Sequence, residues 1–103
     1  MTEVRVQISG DSMWPAFPSG SLFRLVPCSS EQLSIGHVVL ARHPFHSDVQ
    51  IVKRIQHITK DSVFLVGDNP DPLASEDSHN FGSVSMENIL GRVELVEHEG
   101  WRA

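Results

Sequence analysis

The chain has a single cysteine, no long apolar run and no concentration of basic charge. Each of these shortages excludes something. Cys28 alone cannot close an internal disulfide, which fits a reducing compartment and points to a cytoplasmic protein. Flanked by Pro27 and by Ser29 and Ser30, it has no activating neighbour and reads as a small half-buried hydrophobe. The longest clean apolar run, Val38 to Ala41, falls far short of the ~20 residues of a membrane-spanning helix. The opening stretch from Met1 to Val6 lacks the apolar core of a secretory leader. With 13 acidic and 8 basic residues the formal net charge is -5. That balance argues against a nucleic-acid partner, whose phosphates call for a clustered basic face.

What remains is one domain, residues 1–103, of a size that supports a single core. Its dominant period is two. Val4, Val6 and Ile8 alternate with Arg5 and Gln7, which predicts a half-buried strand. Further strands are predicted over Leu22–Val26, Val38–Arg42, Gln50–Ile58, Val63–Val66 and Leu90–Val96. Helical signals amount to one turn near Ser30–Leu33 and another near Ser85–Leu90, the latter stopped by Gly91. The expected fold is therefore mainly β, a small antiparallel sheet or partly open barrel with one or two short helical turns. Residues 67–82, rich in Gly, Asp, Asn, Pro and Ser, are expected as a long irregular loop, a feature that is usually functional or disordered.

Three segments carry possible chemistry. In Ser9-Gly10-Asp11-Ser12-Met13-Trp14-Pro15 a strand ends at a glycine, and a serine follows in a turn stiffened by proline. Such a turn can aim the Ser12 hydroxyl and backbone N–H at one point, as acyl transfer requires. A strand-end turn with a surface serine is the plainer account of the spacing. In the strand Gln50–Ile58, alternation places Lys53 on the face of Ile51 and Ile55, with Val52, Arg54 and Gln56 opposite. An ordinary lysine is neutral at pH 7 only about four times in ten thousand, which cancels most of the ~10²–10⁴-fold that a general base supplies. An apolar seat removes that deficit by disfavouring the ammonium. A snorkelling edge-strand lysine is the bland alternative. The third segment runs through Gly67-Asp68-Asn69, Ser75-Glu76-Asp77-Ser78 and Gly82-Ser83-Val84, where polar side chains can brace base and nucleophile. An Asx-rich surface loop would look similar.

Taken in order, Gly10-x-Ser12-Met13-x-Pro15, Val52-Lys53-Arg54-Ile55, Gly67-Asp68-Asn69, Ser75-x-Asp77-Ser78, Gly82-x-Val84 and Gly91-Arg92-Val93 resemble the boxes of the signal peptidase I family. They span nearly the whole chain. The resemblance implies a serine endopeptidase with Ser12 as nucleophile and Lys53 as general base. It further implies that the Ser12 N–H serves the oxyanion hole and that Ser75 orients the lysine. Asp77 falls where the family pairs an aspartate with an arginine two residues on, but His79 stands there. Gly10 replaces a hydroxyl donor of some members, Pro70 follows Asn69 where an arginine is usual, and Gly36-His37 replaces Gly-Asp. Because no membrane anchor is expected, the chain looks like short members of the kind that mature nickel-type superoxide dismutase. Such proteins are implied to remove an N-terminal extension from a precursor protein, with no cofactor.

The six histidines include His43 and His46 near Asp48 on one loop, but no second cluster of fixed spacing supports a metal site. None is expected. The partner implied is a precursor protein or peptide, bound as an extended strand near Ser12 with Met13 shaping its pocket. Two other readings are a self-cleaving repressor-type Ser/Lys domain and a peptide-binding module on a protease-like fold that does not cut. The self-cleaving form needs a scissile segment ahead of the serine, and Ser12 stands close to the first residue.

Overall fold

A computed structural model of the protein describes residues 3–71, 73 and 76–96. Seven strands are assigned: β1 (Arg5–Gln7), β2 (Leu22–Val26), β3 (Val38–Arg42), β4 (Gln50–Ile58), β5 (Ser62–Val66), β6 (Val84–Ser85) and β7 (Ile89–Leu95). They form one antiparallel sheet in the order β1-β2-β7-β3-β4-β5-β6, curled into a half-barrel. The last strand is therefore inserted between β2 and β3, which brings distant parts of the chain together.

Alternation explains how one small sheet carries two cores. In β3, Val39 and Ala41 join Ile55, Val63, Leu65 and Val84 on one face. Val38 and Leu40 join Ile8, Met13, Phe23 and Val93 on the other. A strand covered on both faces reads as an unbroken apolar run, as Val38–Ala41 does. The same alternation sends Ile51 and Ile55 of β4 to the first core and Val52 to the second. Gly91 lies inside β7 against β2, where a Cβ would meet the Val26 carbonyl oxygen at 2.8 Å. Its role is close strand packing, not the helix stop expected of it.

The expected β2, β3 and β4 coincide with the observed strands. β1 is one residue shorter at each end, β5 gains Ser62, β7 lies one residue earlier, and the two-residue β6 has no counterpart among the expected strands. Turns of 3-10 helix form at Ser30–Gln32 and Met86–Asn88. Within the segment expected as irregular lies a four-residue helix, α1 (Ser78–Phe81). It has no apolar period to betray it and is built by its caps. The Asp77 carboxylate accepts from the His79 N–H at 2.9 Å, and Asn80 Oδ1 accepts from the Asp77 N–H at 3.1 Å.

Candidate active site

Ser12 sits in a tight turn that begins where β1 ends. The Trp14 N–H donates to the Asp11 carbonyl at 3.1 Å, and the Phe17 N–H to the Met13 carbonyl at 2.8 Å. Gly10 has φ +85°, a left-handed backbone that favours glycine, and its N–H donates to the Ser19 hydroxyl at 3.1 Å. Met13 is completely buried in the second core. It therefore anchors the turn and does not shape a substrate pocket. Nucleophile and anchor are neighbours in sequence, so locking Met13 into the core limits where Ser12 can move.

Asn69 clamps the same turn from across the molecule. Its N–H donates to the Ser12 carbonyl at 3.0 Å, and its side-chain amide donates to the Asp11 carbonyl at 2.8 Å. Among the described residues the Ser12 N–H has no hydrogen-bond acceptor, which leaves it available to a developing oxyanion. The Gly10 N–H is already committed to Ser19 and cannot supply a second donor.

Lys53 lies mid-strand in β4, opposite Val39 of β3, and is only 4% exposed. Burial pushes its ammonium pKa below the ordinary value of 10.5, while the charges of Asp77 and Glu76 pull it back up. Lys53 and Ser12 line one cleft of about 410 Å³, together with Gly10, Asp11, His43 and Glu76. One wall of that cleft is β1 and the residues after it; the other is Gln50–Lys53 of β4.

The next residue, Arg54, faces the opposite side. It meets Asp68 in a two-pronged pair, Nε to Oδ1 at 2.9 Å and a terminal nitrogen to Oδ2 at 2.7 Å, and donates to the Gly36 carbonyl at 2.8 Å. Asp68 is thus a brace between β4 and the loop that carries Asn69. Asp77 braces the other end of that loop. Its Oδ2 accepts from the Gly67 N–H at 3.0 Å, and its Oδ1 lies 2.9 Å from His79 Nδ1. Burial pushes the Asp77 carboxyl up, but the bonds from Gly67 and His79 outweigh it and hold it below its ordinary value. His79 therefore takes the pairing role that the resemblance gives to an arginine. Ser75, expected to orient Lys53, lies outside the described residues.

Sequence reasoning marked the segment holding Asn69 and Glu76 only in general as a brace, and named neither the Asn69 clamp nor the contact between His43 and Glu76. His43 drew attention only as a possible metal ligand. Its Nδ1 accepts from the Phe45 N–H at 3.1 Å, so the ring proton is on Nε2, which lies 2.8 Å from Glu76 Oε1. With both nitrogens engaged, the His43 ring has none left to take a proton from Ser12, and a Ser/His triad through His43 is excluded in this arrangement. Among the described residues no group of three or more His, Cys, Asp or Glu side chains is arranged to hold a metal ion.

Seen beside known proteins, the chain matches the model of the Peptidase S24-like family over residues 3–93. It belongs to the Peptidase S24-like family. That family is one of the Ser/Lys peptidases and is related to the signal peptidases that the sequence motifs resemble. No curated protein matches the chain. Among the described residues no helix is long and apolar enough to cross a membrane.

Proposed function

We propose that this Peptidase S24-like chain is a Ser/Lys endopeptidase that cuts an extended peptide segment by an acyl-enzyme route. The observation that carries this reading is the shared cleft: Ser12 on one wall, and on the other a lysine whose burial lowers its pKa. Ser12 Oγ attacks the scissile carbonyl, and Lys53 takes its proton. The Ser12 N–H steadies the oxyanion, and Lys53 returns the proton to the leaving amine. Water then attacks the acyl-enzyme, again with Lys53 as base.

The cleft has the shape for a strand. Among the described residues β1 pairs only with β2, and Gln50–Lys53 pair only with β3, since the β4–β5 ladder begins at Arg54. Two open backbone edges thus meet the cleft, and a peptide added between them gains main-chain hydrogen bonds before any side chain is read. The finer proposal is that the segment is an N-terminal extension of a separate precursor, with nickel superoxide dismutase the candidate that the motif resemblance suggests. Co-expression with that precursor, reading new N-termini by mass spectrometry, tests it. Cleavage should fall by roughly 10³-fold or more in both Ser12→Ala and Lys53→Ala. Retained cleavage in either variant sinks the mechanism.

The Peptidase S24-like match favours a second reading, cleavage of the chain's own polypeptide. Intact mass after long incubation at raised pH separates the two. A fragment that forms at a rate independent of protein concentration supports self-cleavage, and an unchanged mass supports a separate substrate.

A further inference from the structure

His43 is the only buried histidine among the described residues. It stands just past β3, with its ring against Phe81 at 4.9 Å between centroids. Its Nδ1 is held by the Phe45 N–H, and its Nε2–H donates to Glu76. Glu76 itself is 64% exposed, so nothing about its own burial keeps its carboxylate on the cleft wall. The motif boxes leave position 76 open, and none of them includes His43.

We infer that His43 and Glu76 form a positioning pair for Lys53, in which His43 holds the Glu76 carboxylate at the cleft wall and that charge poises the base. The inference rests on the Ser/Lys reading above. Among the described residues, the titratable groups lining the cleft with Lys53 are Glu76 ahead of α1, His43 beyond β3 and Asp11 in the nucleophile turn. Asp77 acts on Lys53 by its charge from outside that lining. Arg54 is turned away onto Asp68. Burial alone can drive a lysine to a pKa of about 5–6 in documented extremes, where its amine is a poor base at neutral pH. Asp77 and Glu76 oppose that fall. Asp77 is fixed by backbone and cap bonds, whereas Glu76 owes its place to His43.

The test compares Glu76→Gln, His43→Leu, their double variant and His43→Gln, whose amide can both accept from Phe45 and donate to Glu76. Two midpoints are measured. One is that of the rising limb of kcat/KM against pH for peptide cleavage. The other is the pH dependence of Lys53 acetylation by acetic anhydride, which releases acetate, in Ser12→Ala protein, read by mass spectrometry. Both midpoints should move to lower pH in Glu76→Gln and in His43→Leu, with no further shift in the double variant and recovery in His43→Gln. A slower enzyme with an unmoved midpoint in Glu76→Gln overturns the inference, because a merely structural role changes rate and not titration. The exposed Glu76 keeps this decisive even if His43→Leu fails to fold. Shifted Lys53 reactivity without any cleavage by the parent protein would retain the pair and reject the peptidase reading.

Discussion

Asn69 holds Ser12 by its backbone: the Asn69 N–H reaches the Ser12 carbonyl at 3.0 Å while the Asn69 side chain ties down the Asp11 carbonyl at 2.8 Å. The two residues are far apart in sequence and belong to different motifs. The clamp sets the aim of the nucleophile without touching a substrate. Asn69 is therefore a positioning residue.

Replacing Asn69 by Ala removes the side-chain half of the clamp and keeps the backbone half. We expect a stability loss of about 1 kcal/mol, the usual worth of one hydrogen bond. The turnover loss should be larger, roughly 10- to 100-fold, because an ångström of misplacement at a reacting atom is costly. Parallel thermal melts and steady-state kinetics check this; a loss in both of equal free energy would mean that Asn69 merely stabilises.

Met13→Ala should behave in the opposite way to Ser12→Ala. Met13 is fully buried, and its truncation should cost roughly 2–5 kcal/mol through lost burial and the cavity left behind. Ser12→Ala should stay within about 0.5 kcal/mol of the parent, as a change outside the packed core. Urea unfolding of both variants gives the comparison, and near-equal midpoints would contradict the anchoring role of Met13.

Activity should rise with pH through a midpoint below 10.5, because burial lowers the Lys53 pKa and only the neutral amine accepts the Ser12 proton. The same shift has a stability consequence of definite sign. A lysine whose folded pKa lies below its unfolded value binds fewer protons when folded, so its contribution becomes less favourable as pH falls through that range. Lys53→Met, which keeps the stem and deletes the charge, should abolish cleavage and flatten this part of the pH–stability curve. A variant as pH-sensitive as the parent above the carboxylate range would show that Lys53 is not the titrating group.

Asp77 acts in the other range. Its folded pKa is lowered, so its stabilisation is present above the unfolded carboxylate pKa and is lost as pH falls through the folded value. Asp77→Ala removes the helix cap and the bond to Gly67 together, and about 1–3 kcal/mol should go at neutral pH. The gap between variant and parent should close towards pH 2, measured by urea unfolding across the pH range. A gap that persists in acid would assign Asp77's role to packing.

The period-two pattern by itself determined most strands of this protein, since alternation of Val, Ile and Leu with polar residues leaves few other ways to bury the apolar set. It also determined the face of Lys53, because phase within one strand is local information: Ile51 and Ile55 do enter the same core. The motif order marked Ser12, Asp68 and Asp77 as worth attention. What tertiary structure alone decided is which partner each one meets. That β7 inserts between β2 and β3, that Asn69 reaches Ser12 and that His43 reaches Glu76 all depend on pairing between remote segments. No local period or spacing encodes such pairings, because they are selected by the joint burial of two cores. Met13 shows the difference plainly: as a letter beside the serine it suggested a pocket, and in the folded chain it is the anchor that keeps the serine still.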